Sequence, residues 1–476
     1  MSGIAVVHEL AGGTPDANLG ERMLRRVAHR GRGRTSAGRQ GRTWLGWARG
    51  AGADACGGLG AVSVCDGQIY NREVLSERSP GWAPLGADEV RHLRGMFAFC
   101  ALSTSGELVV ARDRLGAKPL YWARRDHTVV LASEMGAFDE AWRPEVEVFP
   151  PGHVWSETSG LQQYAGVHPG PQDEIQDRSE ALSLIRSTLV QAVRERLTAD
   201  VPVGVFLSGG LDSSLVAAIM AKEAGYRVQS FAAGTHGSRD LAAARKVAEF
   251  LGLEHRERVY SESEVVAVLP EVVETIESYE PSLVRSAVPN HLLAQLAGEH
   301  VGIVLTGEGA DELFAGYEHM RGFDSAARLE EHLWESLEGL HDLNLQRADR
   351  VTAAQGIEAR VPFLAGEMIS LAARIPIEWR RPRSGQREKH ILREAFEGWL
   401  PGEVLWRRKE QFGDGSGTAD VMTNRVDELA PGNWQGRVLE GLPPARSREE
   451  FAYQSIFQER LGGIRADLVL GRFTTA

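Results

Sequence analysis

The sequence predicts a two-domain α/β protein, with a sheet-rich first half and a second half built on a parallel sheet that ends in helices. Three observations predict it. The chain has 476 residues, more than one hydrophobic core usually serves. Its first third breaks into short apolar runs between glycines, the pattern of sheet. Its middle alternates β-rich runs with apolar residues at helical spacing, the pattern of strands joined by crossover helices.

In the first half, residues 61–64, 97–102, 107–111 and 128–132 are the clearest strands, and 112–119 carries turn chemistry. Residues 166–179 hold Pro169, Pro171 and several acids, a linker composition that divides the chain into domains 1–165 and 176–476. Leu182, Ile185, Leu189, Val193 and Leu197 then mark an amphipathic helix. Strands are expected at 201–207, 227–233, 254–260 and 301–305, with helices at 215–224, 241–251 and 262–278 between them. Helical signal dominates beyond Gly316, and the C-terminal stretch carries no interpretable motif.

Composition excludes several classes. Hydrophobic residues at 43% and charged residues at 25% argue against a disordered or fibrous chain. A net charge of −12 does not suit a protein that lives on nucleic-acid phosphates. Cys56, Cys65 and Cys100 make neither a disulfide framework nor a CxxC pair, a usage that suits reduced thiols in the cytoplasm. Apolar runs are too short to span a membrane, and the N-terminus lacks the layout of a secretory leader.

The string Ser208-Gly209-Gly210-Leu211-Asp212-Ser213-Ser214 falls between a strand and a helix. Adjacent glycines let the backbone turn tightly against a ligand, and hydroxyls with free N–H groups at a helix start form an anion cradle. Asp212 would repel a bare phosphate, which suggests a bridging Mg²⁺. A glycine-serine turn capping a helix is the plain alternative, but seven such residues in a strand–loop–helix context point to function.

This string resembles the loop of the PP-loop ATP pyrophosphatases, which implies ATP as substrate, cleavage between the α and β phosphates, and adenylation of an oxygen nucleophile. The second string, Leu305 to Tyr317 (LTGEGADELFAGY), is similar to a block of the class B asparagine synthetases. Residues 356–364, 388–394 and 405–415 agree with further blocks in the same order. The resemblance implies that Leu207, Ser208, Gly209, Gly210, Ser213, Ser214, Thr306 and Gly307 bind the nucleotide and that Asp212 and Asp311 hold Mg²⁺. It also implies that Lys409 offsets charge on the α-phosphate and that Glu308 takes a proton from the attacking amine, while Glu312 reads as a general base or, the favoured reading, a structural carboxylate paired with an arginine.

The first half resembles the glutaminase domain of that family, an Ntn-hydrolase-like αββα sandwich. Its strings match Asp66-Gly67-Gln68-Ile69-Tyr70-Asn71, residues 111–121 and residues 149–153. The resemblance implies a thiol nucleophile at position 2, where this chain has Ser2. Asp66 stands where an oxyanion-hole asparagine belongs, and a carboxylate there opposes the developing charge. Arg32 and Gly33 end a string that should end in aspartate, and Asp88 is the best match for a glutamine-holding acid. Loss of glutamine hydrolysis is the expectation.

Around the acid substrate, Arg285 keeps a charge suited to a carboxylate, while Leu283 and Val288 replace hydroxyl-bearing residues and predict a more apolar wall. The expected function is an ATP- and Mg²⁺-dependent amide synthetase joining a small carboxylic acid, amino-acid-like in character, to ammonia or an amine. A homodimer is the expected assembly, without nucleic acid or membrane. Ring closure of the β-lactam synthetase or lasso-peptide cyclase type, ammonia-fed asparagine synthesis, and a silent binding protein are the competing readings.

Overall fold

The computed structural model describes residues 1–50, 62–71, 87–103, 105–383, 385–409, 412–430 and 433–471. Eleven strands form the first half among these residues: β1 (Ser2–Glu9), β2 (Thr35–Gln40), β3 (Thr43–Arg49), β4 (Ser63–Ile69), β5 (Gly95–Leu102), β6 (Leu108–Arg112), β7 (Tyr121–Arg125), β8 (Thr128–Ala132), β9 (Glu147–Val148), β10 (His153–Ser156) and β11 (Gly160–Gln163). They pair in two antiparallel sheets, in the order β2-β3-β1-β8-β7-β9 and β11-β10-β6-β5-β4. Period-two alternation sends Ile4, Val6, Val129 and Leu131 from one sheet, and Ala98, Cys100 and Val110 from the other, into a shared sandwich core. Helix Ala17–Arg26, capped by Asp16, covers the outer face of the first sheet with Leu19, Met23 and Leu24. Among the described residues a one-turn helix, Ala87–Val90, lies against the second sheet.

The second half is built on a parallel sheet of β12 (Val203–Phe206), β13 (Gln229–Thr235), β14 (Glu254–Tyr260), β15 (Ile303–Leu305) and β16 (Glu358–Arg360). Their order is β14-β13-β12-β15-β16, so the winding reverses between β12 and β15. Crossover connections leave from opposite faces at that reversal, and the loops beyond the carboxyl ends of those two strands part to form a crevice. β12 and β15 are buried throughout, as strands covered on both faces must be.

One local expectation changes and two stretches without an assignment take form. The helix after the glycine string starts at Leu211 rather than at 215, which places Asp212 and Ser213 in its first turn. Pro281–Gly298, unassigned from sequence, is an 18-residue helix with Pro281 at its first turn. The uninterpreted C-terminal stretch supplies helices Thr418–Leu429 and Arg448–Leu461, the second packed on helix Glu262–Ile276. One apolar core runs from Ala5 and Val7 through Tyr279 and Val284 to Phe457 and Val469, joining the two halves. Cys100 is a buried free thiol, whereas Cys65 is disulfide-bonded, so cysteine usage no longer bears on the compartment. No helix among the described residues is long and apolar enough to cross a membrane.

Candidate active site

A cavity of about 900 Å³ opens at the β12/β15 crevice. Leu207, Ser208, Gly210, Asp212 and Ser213 line it from the β12 side, and Thr306, Gly307, Glu308 and Asp311 from the β15 side. Gly209 turns with φ +72°, and a Cβ there would lie 2.5 Å from Ala243, so helix Arg239–Leu251 can pack against the loop only if this residue is glycine. The Ser213 hydroxyl accepts the Ser208 N–H at 3.3 Å and lies 3.1 Å from the Ser208 hydroxyl, which braces the turn. Gly210 is the N-cap and brings no capping side chain, leaving the first N–H groups of helix Leu211–Glu223 aimed at the cavity. Ser214 departs from expectation. It is fully buried on the far side of that first turn and does not line the cavity.

Asp212 and Asp311 come together across the crevice, and the group that joins them is Lys389. Its ammonium pairs with Asp212 and lies 2.8 Å from Asp311 Oδ1. Lys409 pairs with Asp311 as well, and its ammonium stands 4.3 Å over the Tyr317 ring. Burial opposes ionisation of Asp311, yet Lys389 and Lys409 outweigh it and hold the carboxyl well below the usual range. Burial dominates at Asp212 and pushes its carboxyl up, against the pull of Lys389. Burial likewise opposes the Lys389 charge, but the two acids hold it firmly protonated. Lys389 falls in the block 388–394, to which the sequence assigns no role. Its backbone is left-handed, φ +54°, and this side chain is the main functional residue missed.

The residues fit Mg²⁺. Asp212 Oδ1 and Thr306 Oγ1 are buried without a hydrogen-bond partner, acceptors that face the crevice from both loops. Two carboxylates are the usual protein share for an ion that keeps waters and phosphate oxygens as its other ligands. When bound, it would draw charge from the phosphates. Asp212 and Asp311 would hold it, and Lys389 and Lys409 would screen the same charge.

Beside this cluster, Glu308 pairs with Arg347, whose other nitrogen donates to the Ser286 hydroxyl at 2.7 Å. Glu312 is buried and accepts the Tyr317 hydroxyl at 2.6 Å, and Asn344 donates to that same oxygen at 3.1 Å. Burial, followed by the charge of Asp311, pushes the Glu312 carboxyl up to about 7.

The acid wall needs a correction. Helix Pro281–Gly298 turns Ser282, Arg285, Ser286 and Asn290 to the cavity, while Leu283 and Val288 point the other way and are fully buried in the core. Leu283 is therefore no substrate contact, and the predicted apolar wall disappears. Helical phase decides this, since residues 282, 285, 286 and 290 share one face. Arg285 is also not a free cation. Its guanidinium forks onto Glu449, with Nε 2.9 Å from Oε1, and Glu449 takes a further hydrogen bond from Tyr453 at 2.7 Å. Glu449 lies in the stretch that sequence left blank.

In the first half, Ser2 and Asp66 do meet. The Ser2 N–H donates to Asp66 Oδ1 at 3.1 Å, with Gly67 next to it in β4 at a left-handed φ of +100°. Arg30 donates to the Ser2 carbonyl at 2.6 Å, to Asp66 at 2.7 Å, to Glu134 at 2.9 Å and to Asp349 of the second half at 2.9 Å. Lys118 reaches Asp349 at 3.3 Å. All these side chains are buried or nearly so. Burial pushes the Asp66 carboxyl up against the pull of Arg30 and Lys118. Asp88 is displaced from this cluster. Its side chain is 81% exposed and pairs with Arg91.

The comparisons agree with both halves. An asparagine synthase family model matches residues 184–332 and 321–466, and a glutamine amidotransferase domain model matches residues 81–140. The chain is 35% identical to asparagine synthetase B (glutamine-hydrolyzing) of Escherichia coli strain K12, over 84% of this chain and 78% of that protein. It is 33% identical to asparagine synthetase (glutamine-hydrolyzing) 2 of Arabidopsis thaliana, over 84% and 75%. The rice counterpart, from Oryza sativa subsp. japonica, is 33% identical over 84% and 73%. With a glycine cradle at a parallel-sheet crevice, facing acids bridged by lysine, and this likeness along most of its length, the chain belongs to the asparagine synthetase family of ATP-dependent carbon–nitrogen ligases.

Proposed function

We propose that this protein adenylates a small, amino-acid-like carboxylic acid, releases pyrophosphate, and couples the acyl group to ammonia or an amine without hydrolysing glutamine. The observation that carries the reading is the Asp212–Lys389–Asp311–Lys409 cluster between the Ser208–Gly210 loop and the Thr306–Gly309 loop. Cations placed where charge develops as pyrophosphate leaves act most strongly in a site shielded from water. Glu308, aligned by Arg347, stands across the same cavity to accept the proton of the attacking nitrogen.

Loss of the glutaminase is supported by Asp66 beside Ser2. A carboxylate there repels an oxyanion, and Arg30 and Lys118 are already engaged by Asp66 and Asp349. The polar wall of Ser282, Ser286 and Asn290 favours a short polar acid such as the aspartate of the family's namesake reaction.

Incubation with α-labelled ATP, Mg²⁺, hydroxylamine and a panel of amino and carboxylic acids tests the reading. AMP together with a hydroxamate is expected, and glutamine should not replace hydroxylamine or ammonia. ADP as the main product would overturn adenylation, and glutamate released from glutamine would overturn the lost glutaminase.

A further inference from the structure

One end of the cavity is left over once nucleotide loops and acid wall are placed. Helix Pro281–Gly298 closes the acid end, where the guanidinium groups of Arg285 and Arg347 stand. The opposite end is lined by His319, His332, Glu335, Ser336, Leu340 and Asn344. His332, Glu335 and Ser336 share one face of helix Ala326–Glu338, Leu340 follows in the turn after it, and Asn344 opens the next helix, Asn344–Ala353. The His319 and His332 rings meet with their Nε2 atoms 3.0 Å apart, and His319 stacks on Tyr317 at 5.7 Å between centroids.

Charge separates the two ends. Between Tyr317 and Asn344 in the chain the lining residues include Glu318 and Glu335 but no lysine or arginine, and Lys409, which stands over the Tyr317 ring at its edge, is already paired with Asp311. That end does not suit a phosphate or a second carboxylate. It suits a cation or a neutral donor, resting an apolar stem on Leu340. Position decides the rest. Asn344 is one helical turn from Arg347, the partner of Glu308, and Tyr317 lies under Lys409. A molecule in the lobe therefore presents one end to Glu308 and to the carbon that adenylation activates.

We infer that this lobe is the acceptor subsite for a primary amine larger than ammonia, with a short apolar stem and a hydrogen-bonding or cationic head at the His319–His332 pair. The inference rests on the adenylation reading above. In the transfer, the amine nitrogen bonds to the acyl carbon as the bond from that carbon to the AMP oxygen breaks. AMP departs with the electron pair, and the proton lost by nitrogen goes to Glu308. Ammonia would need none of the lobe.

The test uses the full-length protein with ATP, Mg²⁺ and an acid identified by the hydroxamate screen. Amide formation is compared for ammonia, 4-aminobutanol and 1,4-diaminobutane, in wild type and in Ser336→Trp, with Ser336→Ala as control. The larger amines should exceed ammonia in kcat/KM by about tenfold or more, and Ser336→Trp should cut that ratio by about tenfold while Ser336→Ala keeps it. Ammonia preferred over both larger amines, or a ratio that Ser336→Trp leaves in place, would overturn the subsite while leaving adenylation intact. Absence of AMP with every acid and amine would instead overturn the adenylation reading, and this inference with it.

Discussion

Lys389 holds its ammonium 2.8 Å from Asp311 Oδ1 and pairs at the same time with Asp212, so one buried cation ties the two nucleotide loops together. The side chain is 1% exposed and reaches the crevice from a left-handed backbone. Neither loop's acid can be considered without it. Gly316 makes the approach possible, since a Cβ there would collide with both Asp311 and Lys389.

Lys389→Ala removes a buried ammonium and leaves the partly buried Asp212 carboxylate facing Asp311, which keeps Lys409. Removing one partner of such a pair costs about 3–5 kcal/mol. A large fall in the urea midpoint is expected, together with loss of acid-dependent ATP–pyrophosphate exchange. Unchanged stability and exchange would show that Lys389 is incidental.

Lys409→Ala should behave differently, because its side chain is 21% exposed and Asp311 keeps Lys389. Stability should change little, while the rate of AMP formation falls about a hundredfold or more with ATP binding retained. Lys409→Arg should recover little, since a planar fork carries its charge elsewhere. Single-turnover quench kinetics with calorimetric titration of ATP separates rate from binding.

Arg285→Ala strands Glu449, which is 7% exposed, with Tyr453 as its remaining partner among these side chains. The single variant should lose stability on the order of 2–5 kcal/mol. Arg285→Ala with Glu449→Gln should regain most of it, because no buried charge is left unpaired. If Arg285 also recognises the acid, the KM for acid stays raised in the double variant. A KM that recovers with stability would make the pair purely structural.

Ser2→Ala should leave amide formation from ammonia or amines unchanged, since Ser2 is engaged through its backbone N–H and carbonyl. Asp66→Asn should lower stability by weakening the Arg30 cluster and should restore no glutaminase. Glutamate release measured on both variants and wild type checks this. Release that Ser2→Ala abolishes would reveal a working nucleophile.

His341 gives the stability a defined acid dependence. Burial, helped by Arg112, pushes its imidazole down to about 3. The folded protein then binds fewer protons than the unfolded chain between about pH 6.5 and 3, so this contribution is lost as pH falls through that window. At pH 5 the loss relative to pH 7 is about 2 kcal/mol. Asp342, raised to about 6 chiefly by burial, works in the opposite sense, so the wild-type profile mixes both. His341→Gln should remove the histidine component, making the variant's urea midpoint fall less between pH 7 and pH 5.

The sequence by itself determined the fold class and the order of the chemistry. A glycine-rich string after a β-rich run, a second one after residues 301–305, and helical periods between them suffice to specify a parallel sheet with ligand loops. These are local signals, carried by backbone requirements of neighbouring residues. What local signals do not contain is which partner a charge meets. The union of Asp212 with Lys389 spans 177 positions, Arg285 with Glu449 spans 164, and Arg30 with Asp349 spans 319. Such pairings are set by how helices stack on the sheet, and no spacing encodes them. Helical phase explains the clearest reversal: Leu283 and Arg285 are two positions apart, about 200° around the axis, so one enters the core when the other faces the cavity. Only the packing of helix Pro281–Gly298 against β13 and against helices Glu262–Ile276 and Asn344–Ala353 decided which.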